Sequence, residues 1–167
     1  MIDELAADAA RFGDDDEIRR ILEEVAALTR MGFVAVARVT KARWIACQVL
    51  DQIDFGMSPG DELRISTTIC NDIRKSGNAV VIDDVSADPR WNSNPAPALY
   101  GFKSYVSLPI ILSDGTVFGT LCAIDPHPRK LARADMVPTL KQFADRVASI
   151  VSQCPAIQPQ MPRTIST

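Results

Sequence analysis

SYVSLPIILSDGTVFGTLCAID, residues 104–125, is the stretch on which the fold turns. Two β-rich runs, SYVSLPIIL (104–112) and VFGTLCAID (117–125), flank Asp114-Gly115. An Asp-Gly pair suits a tight turn between strands, so the segment predicts a hairpin near the centre of a sheet. Within it, Pro109 lacks an N–H and fits a strand end or bulge better than a central ladder position. Gly119 leaves room for a neighbouring backbone or helix where a larger residue would crowd the sheet.

Working outward, Met136, Leu140, Phe143, Ala144, Val147, Ile150 and Val151 recur at helical spacing to near Cys154, which predicts an amphipathic closing helix. A second amphipathic helix is expected over Asp14 to Thr29. Ile18, Ile21, Leu22, Val25 and Leu28 form its stripe, Asp14 to Glu17 sit where the helix dipole favours acids, and Gly32 stops it. FVAVARVT (33–40) and RWIACQVL (43–50) predict two antiparallel strands. Residues 51–63 read as a loop, with a short strand around Leu63 to Ile65. Ser66, Thr67 or Thr68 can cap a short helix that runs to about Lys75, with Gly77 at its C-terminal end. NAVVIDDV (78–85) is then a short strand. SADPRWNSNPAP (86–97) is too rich in proline, serine and asparagine for regular structure, and ALYGF (98–102) allows one helical turn. The expected fold is α+β: a mostly antiparallel sheet of five to six strands, the N- and C-terminal helices packed on one face and pocket-forming loops on the other.

A chain of 167 residues fits one domain. Residues 1–13 are expected as a flexible N-terminus, 14–154 as the domain and 155–167 as a disordered tail. The net charge of −3 comes from mixed signs along the sequence, which argues against nucleic acid or an anionic membrane as partner. No basic, apolar leader precedes the domain and no apolar run approaches membrane-spanning length, so a cytoplasmic location is expected. Cys47, Cys70, Cys122 and Cys154 are scattered, with no CxxC pair and a single histidine, His127. Free thiols in a reducing compartment are expected rather than a zinc site.

Three stretches carry a family resemblance: TTICNDIRKSGNAVVIDDVSADPRW (67–91), ALYGFKSYVSLPI (98–110) and GTVFGTLCAID (115–125). With the order of elements, they resemble the GAF sensory domains of histidine kinases, phosphodiesterases and phytochromes, from about Glu17 to Val151. The resemblance implies a small-molecule pocket between the sheet and the loops at 51–65 and 86–103. Its candidate lining residues are Phe55, Cys70, Trp91, Tyr100, Phe102 and Tyr105, with polar groups from Asn71, Asp83 and Asp84. Aromatics with a few polar anchors suit such a pocket. The same residues can instead close the core, and Asp83 and Asp84 can satisfy loop N–H groups as Asx turns do.

Bilin-binding relatives commonly attach the chromophore through a cysteine followed by histidine, whereas Cys70 is followed by Asn71; a bilin is disfavoured. His127 lies in a proline-flanked turn, where a solvated imidazole is expected. GAF enzymes that reduce free methionine sulfoxide carry cysteines in and beside the pocket loops. Here Cys47 and Cys122 fall in predicted strands, which argues against that activity. A thiol-based redox sensor at Cys70 is a separate alternative, because a helix N-terminus lowers a thiol pKa. No nucleophile–histidine–acid set and no phosphate-binding glycine loop is present, so the expectation is a regulatory module and not an enzyme, with its ligand and any cofactor unknown. The two terminal helices are expected to pair with a second copy if their apolar stripes exceed what the sheet covers. No kinase, cyclase or DNA-binding segment lies in the sequence, so an output domain is expected outside it, preferably a histidine kinase, or else the chain acts alone through a partner.

Overall fold

The computed structural model describes residues 4–64, 69–91, 95–131 and 133–153, apart from the side chain of Asn71. Six strands form one open sheet: β1 (Phe33–Val39), β2 (Trp44–Asp51), β3 (Glu62–Leu63), β4 (Val80–Ile82), β5 (Ser104–Ile111) and β6 (Val117–Asp125). Their order is β3-β2-β1-β6-β5-β4, with every pairing antiparallel. The β5–β6 hairpin forms as its turn residues predict, and β6 joins β1 at the middle of the sheet.

The close approach at Gly119 accounts for its glycine. It pairs with Arg38 of β1, and a Cβ there would land on the carbonyl of Ala37. Pro109 pairs with Thr120 beyond the last rung between β5 and β4, Val80 with Ser107. The missing N–H therefore interrupts no ladder on the β4 side. In β2 the register slips between Val36 and Ala37, which face Gln48 and Ala46, leaving Cys47 as the bulged residue.

Helices α2 (Asp16–Thr29) and α5 (Met136–Gln153) cover one face. Asp15 caps α2 by accepting the Ile18 N–H at 2.9 Å, and Ile18, Ile21, Leu22 and Val25 are buried against the sheet. The helix ends at Arg30 in the left-handed region (φ 61°), whose N–H returns to the Ala26 carbonyl. Gly32, expected as the stop, has another role: a Cβ there would collide with Ile53. On α5, Leu140, Ala144, Val147, Ile150 and Val151 complete this core.

Two expectations change. Residues 4–13 are not a loose end, because α1 (Glu4–Ala10) packs on β2, with Ala9 and the following Phe12 buried. Phe12 meets the Phe118 ring edge-on at 6.4 Å, and the buried Gln48 amide donates to the carbonyls of Phe12 (2.7 Å) and Asp15 (3.1 Å). The segment 86–97 also holds more structure than its composition predicts. Val85–Ala87 is a 3₁₀ turn, and α4 (Pro95–Tyr100) opens on a proline, which suits a first helical turn. Among the described residues the exposed large apolar side chains are Leu99 and Ile111, neither on α2 nor on α5. The buried parts of both stripes face the sheet, while Leu28, Val137 and Phe143 stay half-buried. The capping residues 66–68, Cys154 and the tail lie outside the described residues. Among those described, no helix is long and apolar enough to cross a membrane.

Candidate functional site

Strand alternation sends every second side chain to the face without terminal helices. Phe33 (β1), Trp44 (β2), Tyr105 (β5) and Cys122 and Ile124 (β6) form a floor there. The roof comes from Ile69, Cys70 at the start of α3 (Cys70–Ser76), Ala96 and Tyr100 of α4, Phe102, Phe55 and Leu63. Gly77 ends α3 in the left-handed region (φ 70°), as a C-terminal glycine should. Between floor and roof lies an almost wholly apolar cavity of about 40 Å³. A water needs roughly 10–15 Å³ on this measure, so the cavity as it stands holds a few waters or a very small molecule.

Aromatic contacts shape its wall. Phe33 and Phe55 stand 4.7 Å apart between ring centroids, Phe55 and Tyr100 6.2 Å, and Phe102 stacks on Tyr105 at 5.3 Å. Phe55 is held by its loop, which wraps the Asp51 carboxylate: the N–H groups of Ile53, Phe55 and Gly56 donate to it at 3.2, 2.9 and 2.7 Å. Desolvation by itself would raise the Asp51 pKa, but these bonds, with Met57 adding a fourth backbone contact, hold it below its ordinary value.

A small polar cluster interrupts the apolar lining. The Cys70 sulfur lies 3.3 Å from Thr120 Oγ1, 3.4 Å from the Tyr105 hydroxyl and 3.9 Å from Ser107 Oγ. The neighbouring Cys122 thiol first, then Thr120 and Tyr105, pull Cys70 below the ordinary thiol range against its burial. The Cys70 sulfur and burial push Cys122 well above that range. Tyr105 is driven up by burial and by the neighbouring sulfurs. Trp44 lies near the cluster, yet its buried indole N–H has no acceptor in hydrogen-bonding geometry.

Of the residues predicted for a site, Phe55, Cys70, Tyr100, Phe102 and Tyr105 come together around this cavity. Asn71 is the second residue of α3. Asp83, Asp84 and Trp91 are not in the lining. Asp83 accepts the Leu131 N–H at 3.0 Å, and its carbonyl accepts that of Arg129. Asp84 caps the 3₁₀ turn through the Ser86 N–H at 3.0 Å, as an Asx turn does, whereas the Asp83 carboxylate satisfies a loop N–H distant in sequence. Trp91 is half-buried against the apolar cluster of this face. Phe33, Trp44, Leu63, Ile69, Ala96, Cys122 and Ile124 join the site unpredicted. For Cys122 the strand placement misled: a mid-strand residue faces the cavity when its parity is right. His127 is exposed, as expected of a turn imidazole, with Nδ1 3.3 Å from the buried Asp125.

This layering, with terminal helices behind an antiparallel sheet and a roofed cavity in front, accompanies a match of residues 15–151 to the GAF domain profile. The chain belongs to the GAF domain family. Its fold is shared with a methyl-accepting chemotaxis protein at 21% identity, TM-score 0.64, covering 89% of this chain and 95% of that one. The GAF domain of a two-component sensor histidine kinase from Bacillus halodurans matches at 14% identity, TM-score 0.64, over 85% and 95% of the two chains. A far-red cyanobacteriochrome photoreceptor matches at 14% identity, TM-score 0.62, over 86% and 88%. No curated protein matches the sequence significantly. At these identities the likeness of this GAF domain to solved structures concerns the fold.

Proposed function

We propose that this GAF domain is the sensory module of a signal-transduction protein and that its input is a small, largely apolar molecule taken into the cavity beneath α3 and α4. The observation that carries the reading is the combination of an apolar aromatic wall with a buried indole donor, Trp44 Nε1–H, that lacks an acceptor. An unmet buried donor is costly, and a ligand atom that accepts from it recovers that cost while fixing the ligand's orientation. Entry of anything larger than a few waters requires the roof to move. α5 packs on β5 from the opposite face, so displacement of Tyr105 or its neighbours shifts the surface on which α5 rests. In this reading α5 reports the input to an output domain, with a cytoplasmic histidine kinase as the preferred parent.

A bilin fits poorly, since Cys70 lacks a following histidine and the cavity is about 40 Å³. Pairing of two copies through α2 and α5 would rest on the half-buried Leu28, Val137 and Phe143. Light scattering at tens of micromolar tests it: a dimer mass supports the pairing, and a monomer mass removes it.

The chain has two tryptophans, so Trp91→Phe leaves Trp44 as a reporter in the cavity wall. Small planar heteroaromatics are screened by Trp44 emission and thermal shift. A true ligand at about 100 times its Kd adds roughly 2.7 kcal/mol, which is about 5–11 °C for a domain of this size. It also changes Trp44 emission, and its affinity falls in Trp44→Phe. Shifts that leave Trp44 emission unchanged, or that persist undiminished in Trp44→Phe, contradict the reading.

A further inference from the structure

We propose that Cys70 and Cys122 form a dithiol–disulfide pair oxidised by hydrogen peroxide inside the cavity, giving this face a redox input separate from ligand binding. Both thiols are free, buried and part of the same cavity wall. The residues around the Cys70 sulfur fix where Cys122 must be. Thr120, 3.3 Å away, precedes Cys122 by two positions on β6 and shares its face. Ser107, 3.9 Å away, is the cross-strand partner of Cys122. The Cys122 thiol thus stands on the same rung as Ser107, under the Cys70 sulfur. A disulfide needs the two sulfurs at about 2.05 Å, so closing it draws the start of α3 toward β6. α3 can supply this movement, because its N-cap residue, Ile69, makes no side-chain cap bond.

The roles follow from the surroundings. The hydroxyls of Thr120, Tyr105 and Ser107 lie within 3.3–3.9 Å of the Cys70 sulfur and can donate to its thiolate, so Cys70 is the one that attacks. Its thiolate sulfur bonds to one peroxide oxygen, the O–O bond breaks, and the departing hydroxide takes a proton to become water, leaving Cys70 as a sulfenic acid. The Cys122 sulfur then attacks the Cys70 sulfur. The S–O bond breaks and the leaving hydroxide takes the Cys122 proton as a second water. Two thiols and one peroxide become one disulfide and two waters, with two electrons passing from sulfur to oxygen. The new bond ties the start of α3 to the middle of β6 and narrows the cavity, so oxidation lowers the room left for a ligand. Cys47 is an internal control: it faces the helix-covered side, and burial pushes its thiol up to about 12.

The test treats the full reduced chain with a small excess of hydrogen peroxide under native conditions, followed by alkylation, denaturation and non-reducing peptide mapping. The expected product is about 2 Da lighter, the mass of two hydrogens. Trypsin should yield residues 65–74 linked to residues 104–129, while the peptide holding Cys47 stays unlinked. In Cys122→Ser the reaction stops at a sulfenic acid on Cys70, about 16 Da heavier and trappable by dimedone. In Cys70→Ser the rate of thiol loss falls at least about tenfold. Linkage through Cys47 or Cys154 overturns the proposal, as do oxygen additions without linkage and thiols that react only once the chain is unfolded. The peptide map of the unsubstituted chain decides the matter even if a variant fails to fold.

Discussion

Asp51→Asn tests how the cavity wall is held. Three backbone N–H groups converge on the Asp51 carboxylate, and Gly56 donates to Oδ2 at 2.7 Å. Asparagine keeps one acceptor oxygen and puts an NH₂ where the second stood, so one bond is replaced by donor facing donor. The bonds kept fall from charge-assisted to neutral strength, roughly 1.5–3 to 0.5–1.5 kcal/mol each. The gross loss, two weakened bonds and one lost, is about 3.5–6 kcal/mol; the site is partly exposed, and water replaces most of it, leaving about 1–2 kcal/mol. For a domain of this size that is a fall in Tm of about 2–8 °C. Amide exchange at Phe55 and Gly56 should quicken as the loop loosens. The pH dependence has a definite sign. A carboxyl held below its unfolded pKa contributes stability that is complete above roughly pH 4–5 and is lost as pH falls through the folded value, so the variant should show a shallower acid loss. A Tm within about 1 °C of the unsubstituted chain, with unchanged exchange at both amides, would refute the reasoning.

Three further outcomes are expected. Gly119→Ala drives a Cβ into the Ala37 carbonyl at the centre of the sheet and should cost at least about 2–4 kcal/mol by urea denaturation, combining overpacking with a broken ladder bond; a loss below about 1 kcal/mol counts against the close approach. Phe12→Ala should cost about 3–5 kcal/mol because the ring is buried against Phe118, whereas a neutral effect would restore a loose N-terminus. Cys47, with its thiol raised to about 12 by burial, should resist iodoacetamide in the native protein at about pH 9, where an ordinary thiol reacts. A folded pKa above the unfolded one means that its contribution to stability declines as pH rises past about 8.5; rapid native labelling would contradict this.

Much of the fold was legible because its signals are local. The Asp114-Gly115 turn, the stripes of α2 and α5 and the glycine ending α3 each declare their element within a few residues. α1 escaped because its support is distant: Gln48 and Phe118, far along the chain, turn a short acidic segment into a buried corner. The roles of Gly32 and Arg30 at the end of α2 were likewise invisible until Ile53 came to lie against Gly32. In the site, the aromatic residues of the roof were found through their loops, but four of the five floor residues, all but Tyr105, were missed. Strand parity could have found part of it. Once Tyr105 is placed facing the cavity, its cross-strand partner Ile124 follows, and Ser107 leads to Cys122. Asp83 and Asp84 could not be sorted from sequence, because a carboxylate near a pocket and one capping a turn look alike until their N–H partners are seen.

The most direct test of a sensing cavity is native mass spectrometry of the freshly purified chain beside Ala96→Phe, which fills the cavity from α4, where Ala96 is buried in the roof. With circular dichroism showing both folded, the account predicts a small-molecule adduct on the unsubstituted chain that is absent from the variant. An adduct-free unsubstituted chain, or one whose adduct survives Ala96→Phe, would contradict it.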